Sequence, residues 1–141
     1  VAHQTQLTVS TQGQGLYLIT GEIERALAET VKESSHLTGV LHCFLQHTSA
    51  SLLIQENADP SAREDLEEFI DRLVPENQSW HQHLTEGPDD TVSHMKAAIT
   101  PGALTIPVAG GRLLLGTWQG VYLWEHRTHP HRRRLILTLL S

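Results

Sequence analysis

Leu41, Cys43, Leu45 and His47 occupy every second position of one run, so an extended chain puts all four on one face. This predicts a buried strand over Val40 to Gln46, with His47 at the end of its apolar row. Short apolar runs predict further strands at Gln6 to Ser10, Leu16 to Ile19, Ser51 to Glu56, Ala103 to Val108, Arg112 to Leu115, Thr117 to Glu125 and Leu135 to Leu140. Gly110-Gly111 supplies a hairpin turn. The period becomes helical where Ile23, Ala26, Leu27 and Val31 recur; Thr20 can cap this helix, Glu22 suits its first turn, and Gly39 breaks the pattern. A second helix starts at Asp59-Pro60, carries Ala62, Leu66, Phe69, Ile70 and Leu73 as its apolar stripe, and stops at Pro75. Residues from about 76 to 90 follow no period and form a long loop, a length that often carries function. A third helix is expected from Thr91, as cap, through Ala98, with His94 near its start.

Strands, one helix, strands, helices, then strands again is the order of an α+β fold. The expectation is a single compact domain over residues 1–141, with a largely antiparallel sheet and two to three helices.

Composition narrows the function classes. Apolar content of 39% and charged content of 18% are those of an ordinary globular domain. A net charge of −6 argues against a general nucleic-acid binder. The one basic run, Arg132-Arg133-Arg134, is expected to flank the last strand as a solvated edge. The single cysteine, Cys43, excludes an intramolecular disulfide and sits in an apolar run. No stretch has the length of a membrane span and no signal-peptide pattern opens the sequence, so a cytoplasmic location is expected.

Ten histidines in 141 residues is a high load, and imidazole is both a common metal ligand and a proton carrier. Three segments combine histidine with other polar groups. In the first, His47 is followed by Thr48-Ser49-Ala50-Ser51, and then by Glu56-Asn57-Ala58-Asp59 before the second helix. It can bind an anion or move a proton; the competing reading is a strand end whose hydroxyls make turns. In the second, Glu86, Asp89 and Asp90 lie between His83 and His94. This supplies metal ligands or a base, without matching a common local zinc motif. The alternative is a hydrated loop. His81 and His83 alternate, so only one need face inward. The third segment is Gly116 to Arg127. Period two separates Trp118, Tyr122, Trp124 and His126 from Gln119, Glu125 and Arg127, and both faces are mixed, so the strand is expected to be buried on both sides. The tryptophans read as core. Glu125 and Arg127 read as a pair, or Arg127 as a receptor for phosphate or carboxylate. His129 and His131 read as exposed turn residues.

Together the stretches HTSASLLIQENADP, Arg63 to Phe69, HLTEGPDDTVSHMKA and IPVAGGRLLLGTWQGVYLWEHR resemble the YjbQ-like family, often labelled secondary thiamine-phosphate synthase. The resemblance covers nearly the whole chain, and the GTWQG and EHR words are specific. Pro88 stands where an acidic residue is common, Thr91-Val92 where Met-Pro is common, and Trp124 at a variable position. The resemblance implies a homotrimer with a metal-dependent site near subunit contacts. It also implies a weak synthase activity that joins a pyrimidine diphosphate to a thiazole phosphate and releases pyrophosphate. On that basis His83, His94 and His126 are the expected ligands of a divalent ion, zinc first. His47, Glu125 and Arg127 are the expected catalytic groups, with His47 as proton carrier or fourth ligand and Arg127 as anion contact. Ser49, Glu56, Asn57, Asp90 and Gln119 are the expected substrate contacts. The implied partners are the chain itself and a small phosphorylated metabolite, with no nucleic acid and no membrane. The alternative is a non-catalytic homotrimer that binds metal and a phosphate ester.

Overall fold

The computed structural model describes residues 2–31 and 37–141. The elements are β1 (Ala2–Thr11), β2 (Gly15–Leu18), α1 (Thr20–Thr30), β3 (Gly39–Leu45), β4 (Ala50–Glu56), α2 (Pro60–Leu73), α3 (Pro88–Ala98), β5 (Ala103–Ala109), β6 (Arg112–Leu113), β7 (Gln119–Glu125) and β8 (His131–Leu140). This is the expected α+β domain. Its strands form two antiparallel sheets, one ordered β1-β8-β3-β5-β6 and the other β2-β7-β4.

The alternation in β3 does what it predicts. Leu41, Cys43 and Leu45 are buried beside Leu135, Leu137 and Leu139 of β8 and Ile106 and Val108 of β5. They meet Leu52, Val121 and Leu123 of the small sheet and Ile23 and Leu27 of α1 in one core. Burial also pushes the Cys43 thiol up to about 12, so it stays a protonated apolar group. The other face of the small sheet carries Tyr122 and Trp124, which pack with Leu16 and with Ile70 of α2. β7 is therefore buried on both sides, as its mixed faces require.

Several expectations change. Thr20 does not cap α1; Ile19 is the N-cap, and the Thr20 hydroxyl accepts from Val121 N at 2.8 Å, tying helix to sheet. The end of this pattern towards Gly39 crosses residues 32–36, outside the described residues. Asp59 caps α2 as expected, accepting from Ser61 N at 2.9 Å. The stripe of α2 is only part covered, with Ile70 buried but Phe69 and Leu73 exposed. α3 starts at Pro88, not Thr91, because Gly87 at φ 97° serves as N-cap and proline suits the first helical position. Asp89 and Asp90 thus leave the loop and enter the first turn, where helix N–H groups favour carboxylates. Trp118 lies ahead of β7 and is exposed, unlike Trp124. His131 opens β8 instead of sitting in a turn.

The largest correction concerns the arginine run. β8 lies between β1 and β3, so its residues alternate between core and outer face. Arg132 and Arg134 are exposed, while Arg133 is 3% exposed and points inward. It pairs with buried Glu125, whose Oε1 accepts from Arg133 Nε at 2.8 Å and from Thr11 Oγ1 at 2.6 Å. Burial works against ionised Glu125, but the bonds from Arg133 and Thr11 outweigh it and hold its pKa below the usual carboxylate range. The expected pairing of Glu125 with Arg127 is therefore replaced by one with Arg133.

Candidate metal site and its surroundings

Asp90 and His94 are four apart on α3, so they share a face one turn apart. The loop before α3 brings His83 to the same place. His83 Nε2 lies 2.6 Å and His94 Nε2 3.1 Å from the same oxygen, Asp90 Oδ2. Among the described residues these three offer ligand atoms within 4.8 Å of one another. Asp90 is buried, while His83 is half exposed and leaves one side of the group open.

The groups behind these three side chains are just as ordered. His94 Nδ1 lies 2.9 Å from Thr48 O. A carbonyl only accepts, so Nδ1 carries a proton, and in the neutral ring Nε2 presents its lone pair to Asp90. Two lone pairs at that separation repel unless a proton or a cation lies between them. A histidine that donates its other N–H to a carbonyl is the usual metal-ligand arrangement. On the other side of Asp90, Oδ1 accepts from Arg127 Nη1 at 2.7 Å. Arg127 Nε donates to Asp89 Oδ2 at 2.8 Å and Nη2 to Glu86 O at 3.2 Å. Asp89 Oδ2 also accepts from Thr128 N at 3.0 Å. Burial would raise the pKa of Asp90, but the bond from His83, the charge of His94 when its ring is doubly protonated and the charge of Arg127 outweigh it and hold it below the usual carboxylate range.

The other expected site residues divide into three places. His126 is not in the group with His83 and His94. It is 1% exposed at the end of β7, with Nε2 2.9 Å from Ser51 Oγ. The proton direction there is fixed. Thr100 Oγ1 donates to Lys96 O at 2.6 Å, so Ser51 donates to Thr100 and accepts from His126 Nε2. Asp90, expected at the substrate, takes the place in the ligand group expected of His126. His47 Nε2 accepts from Arg134 N at 2.8 Å, and Arg133 Nη1 lies 3.4 Å from Nδ1. Burial first, then both arginines, lower its pKa and keep it neutral. Ser49 Oγ accepts from Arg133 Nη2 at 2.9 Å, which ties it to the Glu125 pair.

Glu56, Asn57 and Gln119 lie elsewhere. Ala50 pairs with Glu125 and Glu56 with Gln119, so these residues sit at the far end of β4, about 20 Å along the strand. There Asn57 N donates to Trp118 O at 3.0 Å and Gln119 Oε1 accepts from Gly116 N at 2.8 Å. They shape a turn and do not join the histidines. Sequence reasoning missed Thr48, Arg133 and Lys96. It took His81 or His83 as alternatives; His81 faces inward and His83 the site.

Burial, then the charge of Lys96, lowers the His126 pKa to about 3. The unfolded chain takes up this proton near pH 6.5 and the folded chain only near 3, so stability is lost as pH falls through that window. From pH 6.5 to 4.5 this residue alone should cost about 2.3 kcal/mol. Urea unfolding of the parent and of His126→Gln across that range measures it. Equal pH slopes in the two proteins would refute the assignment.

The sequence profile described as UPF0047 protein YjbQ-like matches residues 5–141. The chain belongs to the YjbQ-like UPF0047 family. It is 47% identical over 135 residues to the UPF0047 protein sll1880 of Synechocystis sp., covering 96% of this chain and 89% of that one. It is 45% identical over 137 residues to the UPF0047 protein YjbQ of Escherichia coli O157:H7, covering 97% and 96%. Among solved structures it resembles the conserved hypothetical protein TT1486 of Thermus thermophilus, with a TM-score of 0.84, 34% identity and coverage of 96% and 99%. A YbjQ-like protein of unknown function from Sulfolobus solfataricus gives a TM-score of 0.86 at 25% identity, covering 100% and 98%. Among the described residues of this family member, no helix is long and apolar enough to cross a membrane.

Proposed function

We propose that this YjbQ-like protein is a divalent-metal enzyme acting on a small phosphorylated metabolite, with His83, Asp90 and His94 as ligands. One observation carries the reading: with Nδ1 committed to Thr48 O, His94 Nε2 meets Asp90 Oδ2 at 3.1 Å, a contact that needs a proton or a cation between the two atoms. Two nitrogens and one carboxylate oxygen suit zinc, which in catalytic sites takes three protein ligands and keeps one position open. When bound, such an ion neutralises charge on phosphoryl oxygens. Arg127 acts here as a positioning residue, since Asp89, Asp90 and Glu86 take up its donors. It fixes Asp90, and Asp89 fixes it in turn. The reaction put to the test is thiamine-phosphate synthesis, with release of pyrophosphate. The same occupied arginine favours a second reading, a non-catalytic metal-binding homotrimer, because it leaves the expected anion contact already paired.

Self-association fits the outer face of the large sheet. Phe44 and Leu140 are exposed there, with Val40 and Ile136 half covered. We take the compartment to be the cytoplasm, in keeping with the lone reduced Cys43.

Elemental analysis of the purified protein should find about one zinc-like ion per chain. Pyrophosphate release from the two synthase substrates should depend on it and stop with a chelator. Metal without turnover supports the second reading; no metal after loading and dialysis ends both. Sedimentation equilibrium reads the copy number, and a monomer would remove the trimer.

A further inference from the structure

Lys96 lies two residues past His94, about 200° round α3, so it faces away from the histidine–aspartate group. It lines a separate cavity of about 220 Å³ between α2, α3, the end of β7 and the turn before β2. Gln14, Glu67, Asp71, Trp124 and His126 are among its other walls. This is smaller than the roughly 300–1,000 Å³ of drug-sized sites, so its occupant is small.

The walls define the chemistry of that occupant. Lys96 is 2% exposed, and its Nζ donates to Asp71 Oδ1 at 2.6 Å, which balances those two charges. Glu125 is balanced by Arg133. Glu67 Oε2 accepts from Leu16 N at 2.9 Å, and no cation among the described residues pairs with it. Its charge is the one left over. The buried His126 ring donates its Nε2 proton to Ser51, which leaves Nδ1 a bare acceptor without a bond from the described residues. One Gln14 side-chain N–H is taken by His126 O at 3.0 Å, and its amide oxygen is free to accept among the described residues. One negative charge among the walls, that of Glu67, is therefore uncompensated, and beside it lies the indole of Trp124, a ring type that attracts cations.

We propose that this cavity is a binding site for a small organic cation, an ammonium or guanidinium compound, paired with Glu67 and seated against Trp124. The proposal does not rest on the metal site, which lies across α3.

Methylguanidinium is the probe, with acetate and phosphate as anionic counterparts. Heteronuclear NMR of the three tryptophan indole N–H signals reads binding, with Trp124 assigned from Trp124→Phe. Methylguanidinium should shift the Trp124 signal saturably and leave those of exposed Trp80 and Trp118 in place. Glu67→Gln keeps an acceptor for Leu16 N and removes the charge, and should weaken binding about tenfold. Lys96→Met removes a competing cation and should bind at least as tightly. An unchanged backbone spectrum shows that each variant is folded. A Trp124 response to acetate or phosphate that Lys96→Met abolishes would overturn the proposal in favour of an anion site. No response to any probe would reduce the cavity to a water-filled void.

Discussion

Replacing Asp90 with Asn is expected to lower divalent-metal affinity more than about a hundredfold, because loss of a group that merely supports a ligand already costs about 10–100-fold. Asn keeps the shape and an oxygen for Arg127 Nη1, which now bonds Asp90 Oδ1 at 2.7 Å. What it loses is the anionic oxygen shared by His83 and His94. Its amide N–H can even donate to the His94 lone pair, so the fold should persist. His83→Ala and His94→Ala should likewise empty the site. Asp89→Asn touches only Arg127 and Thr128, so its cost should stay within the range of a supporting group. Calorimetric titration with zinc, together with elemental analysis, separates these cases. Parent-level metal in Asp90→Asn would remove the group from consideration as the metal site.

Arg133→Met should destabilise the protein by about 3–5 kcal/mol, the usual result of leaving one member of a buried ion pair alone. That is a large share of the roughly 5–15 kcal/mol that holds a typical domain together. Glu125 is 1% exposed, and without Arg133 only Thr11 and the Arg127 N–H, among the described residues, bond its carboxylate. Ser49 would lose its partner as well. The double variant Arg133→Met, Glu125→Leu should recover most of the loss, since apolar replacement of a whole buried pair is often neutral. Urea midpoints of the two single variants and the double form the required cycle. A loss under about 1 kcal/mol in Arg133→Met would mean that the pair is no anchor.

The contrast between Cys43 and Arg133 explains how much of the fold was legible. Both alternate into the same interior, but the apolar neighbours of Cys43 announce its face locally. Arg133 sits between two exposed arginines, and nothing near it in sequence says that β8 lies between β1 and β3. Its partner Glu125 is brought in by tertiary pairing of separate sheets. The site was legible to the same degree. Asp90 and His94 carry helical spacing in the sequence, visible once Gly87-Pro88 is read as a helix start. Placing that start at Thr91 hid the pair and left Asp90 among the substrate contacts. His126 carries the same residue type in a specific motif, yet the end of β7 turns its ring towards Ser51. Residue type and motif nominated it, but backbone direction sent it elsewhere.

The position of β8 also bears on how the protein is made. The ladder between β1 and β8 matches Thr11 with His131, 120 residues later. A ribosome adding about 5–20 residues per second needs roughly 6–24 seconds to cover that distance. During that time β1 lacks its neighbour, and β3 lacks the strand that separates it from β1. The small sheet, whose β2, β4 and β7 are complete by Glu125, can assemble first and shelter α1. The large sheet closes only when the last strand slides between two that are already waiting.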